Sequence, residues 1–155
     1  MKEEIISDDK VNSYDSNKWI KAYFDKSSNG CLLINKQRLE HSASSKNETE
    51  KFVKEFRMSM VMAKNGYKVE LLKEIPRIPS PDAKINGILT EFKSLSSHNN
   101  IVKEAKDAVQ KKGAEIVLFE FEKETEKIYK QILVLQKIGI HGKFYFANKN
   151  SIYDF

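Results

Sequence analysis

Asn86-Gly87 limits the possible folds of this chain more than any other feature. An Asn-Gly pair is the strongest short-range signal for a two-residue hairpin, because both central residues must adopt positive φ and this pair does so readily. It stands between Ala83-Lys84-Ile85 and Ile88-Leu89-Thr90-Glu91-Phe92-Lys93, both suited to strands. Just upstream, residues 74–81 (EIPRIPSP) hold all three prolines of the chain. That stretch is therefore predicted to be an extended loop, since proline cannot donate to a β ladder. A hairpin of this kind needs further strands or a helix packed on it to become stable.

The flanking sequence offers both. Cys31-Leu32-Leu33-Ile34 follows the turn signal Ser27-Ser28-Asn29-Gly30 and reads as a short strand; Trp19–Phe24 (WIKAYF) fits a helical turn or a strand equally well. Residues 41–49 are polar and read as a loop, with Asn47 or Thr49 as an N-cap. Glu48–Lys64 is predicted to be a helix whose apolar face is Phe52, Val53, Phe56, Met60 and Ala63, ended by Asn65-Gly66. Tyr67–Leu71 alternates as a strand does. After the hairpin comes a helix with the stripe Ile101, Ala105, Ala108 and Val109, stopped by Gly113. A buried-type strand (Ile116–Phe121), a helix (Glu122–Ile138) and a strand (Lys143–Ala147) follow. Interleaved strands and helices predict the α/β class, a central mixed sheet flanked by helices. Residues 1–29 are expected to be an N-terminal arm, loosest over 1–18, and residues 30–155 one domain.

Composition excludes several classes. A chain of 155 residues that is 40% hydrophobic can build a core, and no run approaches the roughly 18 apolar residues of a membrane span. The start (MKEEIISDDK) is acidic and does not read as a secretory signal. One cysteine, Cys31, forms no internal disulfide, and His41, His98 and His141 show no paired metal spacing. The net charge is +5, and residues 31–100 carry +4 of it, a bias compatible with a polyanionic partner.

The chemistry concentrates on the hairpin. Residues two apart in a strand share a face, so Glu91 and Lys93 project together. The Asn86-Gly87 turn folds Asp82 back toward them. Two carboxylates can hold a hard divalent cation such as Mg²⁺ or Mn²⁺, and an adjacent ammonium can orient water or offset charge on a phosphate. The plain alternative is an edge hairpin with a cross-strand ion pair, which contributes little when exposed.

Pro81-Asp82 followed nine residues on by Glu91-x-Lys93 resembles the motif of the PD-(D/E)XK nuclease superfamily. An ordered set extends the likeness: Glu55, Ala63-x-x-Gly66-Tyr67-x-Val69-x-Leu71-Leu72, Ser80-Pro81-Asp82-x-x-Ile85-Asn86-Gly87 and Glu91-Phe92-Lys93. Over roughly residues 30–147 the chain resembles the C-terminal tRNase domain of CdiA-type contact-dependent growth inhibition toxins and related polymorphic-toxin and phage-associated domains. The resemblance implies Asp82 and Glu91 as metal-binding carboxylates, Lys93 as the catalytic lysine and Glu55 as a helical glutamate completing the site. It implies a divalent metal (Mg²⁺ or Mn²⁺, with Zn²⁺ as a further candidate), tRNA as first substrate and DNA as second, and a cognate immunity protein; the site of action is open between a cytoplasmic protein and a toxin domain acting in the cytoplasm of a target cell. The family often places a glutamine near the end of the next helix. Here Gln110 faces away from the apolar stripe and Lys112 lies on its line. His98, five residues past Lys93, could touch phosphate or be an ordinary loop residue. A non-catalytic binding module with this fold is the reading from another functional class.

Overall fold

The computed structural model of the protein describes residues 14–155; residues 1–13, most of the stretch read as a loose arm, lie outside the described residues. The described chain divides into two compact units. One comprises the residues up to Glu74 together with Ala83–Gly87, the other Ile75–Asp82 together with Ile88–Phe155. Both mix strands and helices, in keeping with the α/β class.

In the first unit, β1 (Trp19–Phe24) pairs antiparallel with β2 (Cys31–Asn35), so Trp19–Phe24 is a strand. A short helix α1 (Lys36–Ser42) follows, then α2 (Lys46–Lys64), β3 (Lys68–Leu71) and β4 (Ala83–Ile85). β2 and β3 are parallel, and β3 and β4 antiparallel. Helix α1 falls partly where a loop was expected. Asn35 caps it by accepting the Gln37 N–H, but only Arg38 and Ser42 are buried, so it has no apolar periodicity to read. Helix α2 begins two residues earlier than predicted, capped by Ser45 rather than Asn47 or Thr49.

The predicted apolar face of α2 is corrected by rotation. Met58, Met62 and Ala63 are buried together with Ser59 and Glu55, while Val53 is 55% exposed and Phe56 also faces outward. This helix carries apolar residues on most of its circumference, so spacing alone did not single out one face. Backbone approach decides it: a Cβ on Gly30 would overlap the carbonyl of Ala63, which brings the chain at the start of β2 against the last turn of α2.

In the second unit, β5 (Ile88–Leu95), β6 (Ile116–Phe121) and β7 (Gly142–Phe146) run parallel, joined by helices α3 (Ile101–Gln110) and α4 (Glu126–Lys137), and β8 (Tyr153–Asp154) pairs antiparallel with β7. Parallel strands joined by helices are covered, so β6 reads as an apolar run broken only by Glu120. Val117, Phe119 and Phe121 of β6 form one core with Ile101, Ala105 and Ala108 of α3 and Ile128, Ile132 and Leu135 of α4. Helix α4 starts at Glu126, after Thr125 accepts the Ile128 N–H, rather than at Glu122. Asn86 and Gly87, at φ 49° and 81°, form the left-handed turn from β4 into β5 that the pair predicts. Asn86 is also held by β3: its Oδ1 accepts the Lys68 N–H and its own N–H donates to the Lys68 carbonyl.

Candidate functional site

Glu91 lies in the middle of β5, paired in register with Val117 of β6, and Lys93 pairs with Phe119. Both side chains thus leave the same side of β5, the side on which α3 packs its apolar stripe. Asp82 ends the proline-rich loop, and its Oδ2 accepts the Phe92 N–H at 2.9 Å. That bond pins Asp82 beside the Glu91 end of β5, as the hairpin predicts.

Glu91 is fully buried. Burial, then the adjoining Asp82 carboxyl, push its pKa up to about 8, with Lys112 pulling partly back. Neither Glu91 oxygen receives a donor in hydrogen-bonding geometry. Lys112 Nζ approaches Oε2 at 2.8 Å and Lys93 Nζ at 3.8 Å, both as charge contacts rather than aligned hydrogen bonds. Once protonated, Glu91 can donate toward Asp82, so this neighbour favours the neutral form. A buried Glu91 carboxyl without an aligned donor, set beside the part-buried Asp82 carboxyl, is a donor set that fits a divalent cation, because the cation would replace the proton that the two carboxyls otherwise hold.

Lys112 therefore occupies the inward position, and Gln110 does not. Lys112 stands two residues past the last residue of α3, where the Ala114 N–H bonds back to the Ala108 carbonyl and Gly113 takes φ 74°. This close keeps Lys112 on the line of Ala105 and Ala108. The sequence reading missed Glu104, whose Oε2 lies 3.1 Å from Lys93 Nζ. Its signal was present: Glu104 stands one and two helical turns before Ala108 and Lys112.

The remaining candidates sit elsewhere. Glu55 belongs to the first unit, where its Oε2 accepts from Arg38 Nη2 at 2.6 Å and Nε at 3.2 Å, both residues buried. His98 is half-buried in the loop before α3, and its ring makes no hydrogen bond or ion pair among the described residues. Cys31 is buried, and burial raises its thiol pKa, which leaves it inert as a nucleophile.

Residues 79–152, from the end of the proline loop to β8, match the family model described as the contact-dependent growth inhibition CdiA C-terminal domain. The fold is also similar to that of a solved chain titled "CdiA-CT/CdiI toxin and immunity complex from Burkholderia pseudomallei". The TM-score is 0.55 at 21% identity, over 73% of this chain and 89% of that one, a likeness of fold. No curated protein gives a significant match to the chain. The matched segment contains Asp82, Glu91, Lys93, Glu104 and Lys112 and excludes Glu55.

Proposed function

We propose that the protein is a toxin domain that hydrolyses phosphodiester bonds of nucleic acid with a divalent metal, tRNA being the first-choice substrate. The observation that carries this reading is the buried Glu91 carboxyl, without an aligned hydrogen-bond donor, set beside the Asp82 carboxyl and flanked by two ammonium groups. The matched toxin-domain family, the likeness of fold and the PD-(D/E)XK-like spacing support it.

In this reading Asp82 and Glu91 hold Mg²⁺ or Mn²⁺, with Zn²⁺ a further candidate. When bound, the ion would polarise the phosphodiester and acidify a water. The chain's own residues supply the rest. Asp82 is fixed by the Phe92 N–H, so its carboxylate costs little to orient. Glu91 must give up its proton to become a ligand. Lys93, steadied by Glu104, stands beside the carboxyl pair, where it can orient the attacking water or offset charge on the phosphate. Lys112 contributes a second positive charge for the phosphate backbone. His98 is proposed as an auxiliary phosphate contact, and Glu55 enters through the resemblance alone. The neighbour's description as a toxin and immunity complex supports a cognate immunity protein as partner.

The test is to incubate wild type, Asp82→Ala and Lys93→Ala with Mn²⁺ or Mg²⁺ and either total tRNA or supercoiled plasmid, then sequence the cleaved ends. Metal-dependent tRNA cleavage lost in both variants is expected. Plasmid nicking without tRNA cleavage would move the substrate to DNA. Binding of nucleic acid with no cleavage of either would replace hydrolysis with the binding-module reading.

A further inference from the structure

His41, Glu48 and Glu74 come from three separate parts of the first unit: the last turn of α1, the first turn of α2 and the segment after β3. His41 Nε2 lies 3.2 Å from Glu48 Oε2 and 3.2 Å from Glu74 Oε2, and the three ligand atoms all lie within 4.8 Å of one another. One imidazole nitrogen carries at most one proton, so it cannot satisfy two carboxylate oxygens at once. Glu48 Oε2 is in fact buried without a hydrogen-bond partner. The spacing suits another occupant. Zinc–nitrogen and zinc–oxygen bonds of about 2.0–2.1 Å give a tetrahedron with edges of about 3.3–3.4 Å. Both imidazole-to-carboxylate separations fall close to that edge. Glu74 is prepared for the role, since Lys51 Nζ holds its other oxygen, Oε1, at 2.6 Å and leaves Oε2 directed at His41.

We propose that His41, Glu48 and Glu74 form a metal site for a borderline divalent cation of the Zn²⁺ type, built separately from the Asp82–Glu91 pair. One imidazole and two carboxylates favour Zn²⁺, Co²⁺ or Ni²⁺, whereas Mg²⁺ prefers an all-oxygen shell with several waters. Water completes the coordination, because the His41 side chain is 43% exposed. A bound ion would clamp the α1–α2 connection to the chain leaving β3 and stabilise the folded state by mass action. Glu48 stands seven residues before the buried Glu55 and so lies on the same face of α2.

The test uses the full chain carrying Glu91→Gln, so that the carboxyl pair on β5 is disabled. Calorimetry is expected to give one Zn²⁺ per chain, not displaced by millimolar Mg²⁺. His41→Ala or Glu48→Gln added to that background is expected to weaken Zn²⁺ at least about a hundredfold, more than the loss of an outer-shell partner costs. In histidine ring NMR spectra of the parent protein, His41 is expected to shift on Zn²⁺ addition while His98 and His141 stay in place. Zn²⁺ affinity unchanged by both substitutions, or a ring shift at His98 or His141 and not at His41, would overturn the site. The NMR arm needs no substitution at the ligands, so a variant that failed to fold would not shield the proposal.

Discussion

Glu91 and Glu120 are neighbours in kind: both are buried glutamates on adjacent parallel strands of the second unit. Their surroundings differ. Glu120 Oε1 accepts from Ser94 Oγ and Oε2 from Tyr145 OH, each at 2.8 Å. Glu91 has a second carboxyl and two ammonium groups beside it and no aligned donor. Glu55, in the first unit, represents a third solution, with a guanidinium fork on one oxygen. Burial alone therefore does not mark a functional carboxylate. A carboxyl whose oxygens are saturated by hydroxyls or a guanidinium holds the fold together. One left short of donors beside another carboxyl has capacity for a cation or a proton, and that is the arrangement catalysis needs.

The largest expected effect separates the two kinds on activity. Glu91→Gln and Lys93→Ala should each lower metal-dependent cleavage at least about a hundredfold, the scale of losing one preorganised charge contact, with melting temperatures near wild type. Lys93→Arg should rescue poorly, since a planar guanidinium presents its donors differently from a compact ammonium. A folded Lys93→Ala protein that cleaves at the wild-type rate would break the comparison. Glu55→Gln should instead act on stability. It leaves the Arg38 guanidinium buried without its counter-charge, a loss of about 3–5 kcal/mol, readable by urea denaturation.

Glu120→Ala should cost less, about 1–3 kcal/mol, because it strands the Tyr145 hydroxyl and Ser94 rather than a charge. Cleavage per folded molecule should persist.

The pH dependence sharpens the contrast further. The Glu91 pKa is raised to about 8 in the folded chain, against about 4.3 for an unperturbed glutamate. Between those values the folded state binds the extra proton, so its contribution is full below about pH 4 and is lost as pH rises through 8. Metal-free wild type should melt at lower temperature at pH 8 than at pH 5. Glu91→Gln should flatten that part of the profile, and saturating Mn²⁺ should raise the pH 8 melt toward the pH 5 value. The smallest effect belongs to His98→Ala, expected to change cleavage less than about tenfold, because its ring makes no hydrogen bond or ion pair among the described residues. A loss comparable to that of Lys93→Ala would move His98 into the centre of the site.

Local chemistry made much of the structure readable in advance. Asn-Gly must turn, prolines keep residues 74–81 out of a ladder, and strand alternation puts Glu91 and Lys93 on one face; the structure places all three accordingly. The α3 stripe likewise foretold Lys112 facing inward, because a helical line extended by one turn points the same way. These are short-range consequences of backbone geometry, and the residues that carry them lie close together in the chain.

Longer-range contacts decided the rest. Which side of α2 faces inward depended on the close approach of Gly30 to Ala63, across more than thirty residues of chain, and apolar residues spread around most of the helix do not encode it. The partner of Glu55 came from α1, a helix too polar and too short to be seen in the pattern. His41 had no partner by spacing, yet tertiary structure sets it against Glu48 and Glu74, seven and thirty-three residues away. The sequence by itself determined which side chains leave each strand together. Only the tertiary structure decided which of the buried carboxyls would find donors, because a donor supplied from another element is a property of packing and not of the local chain.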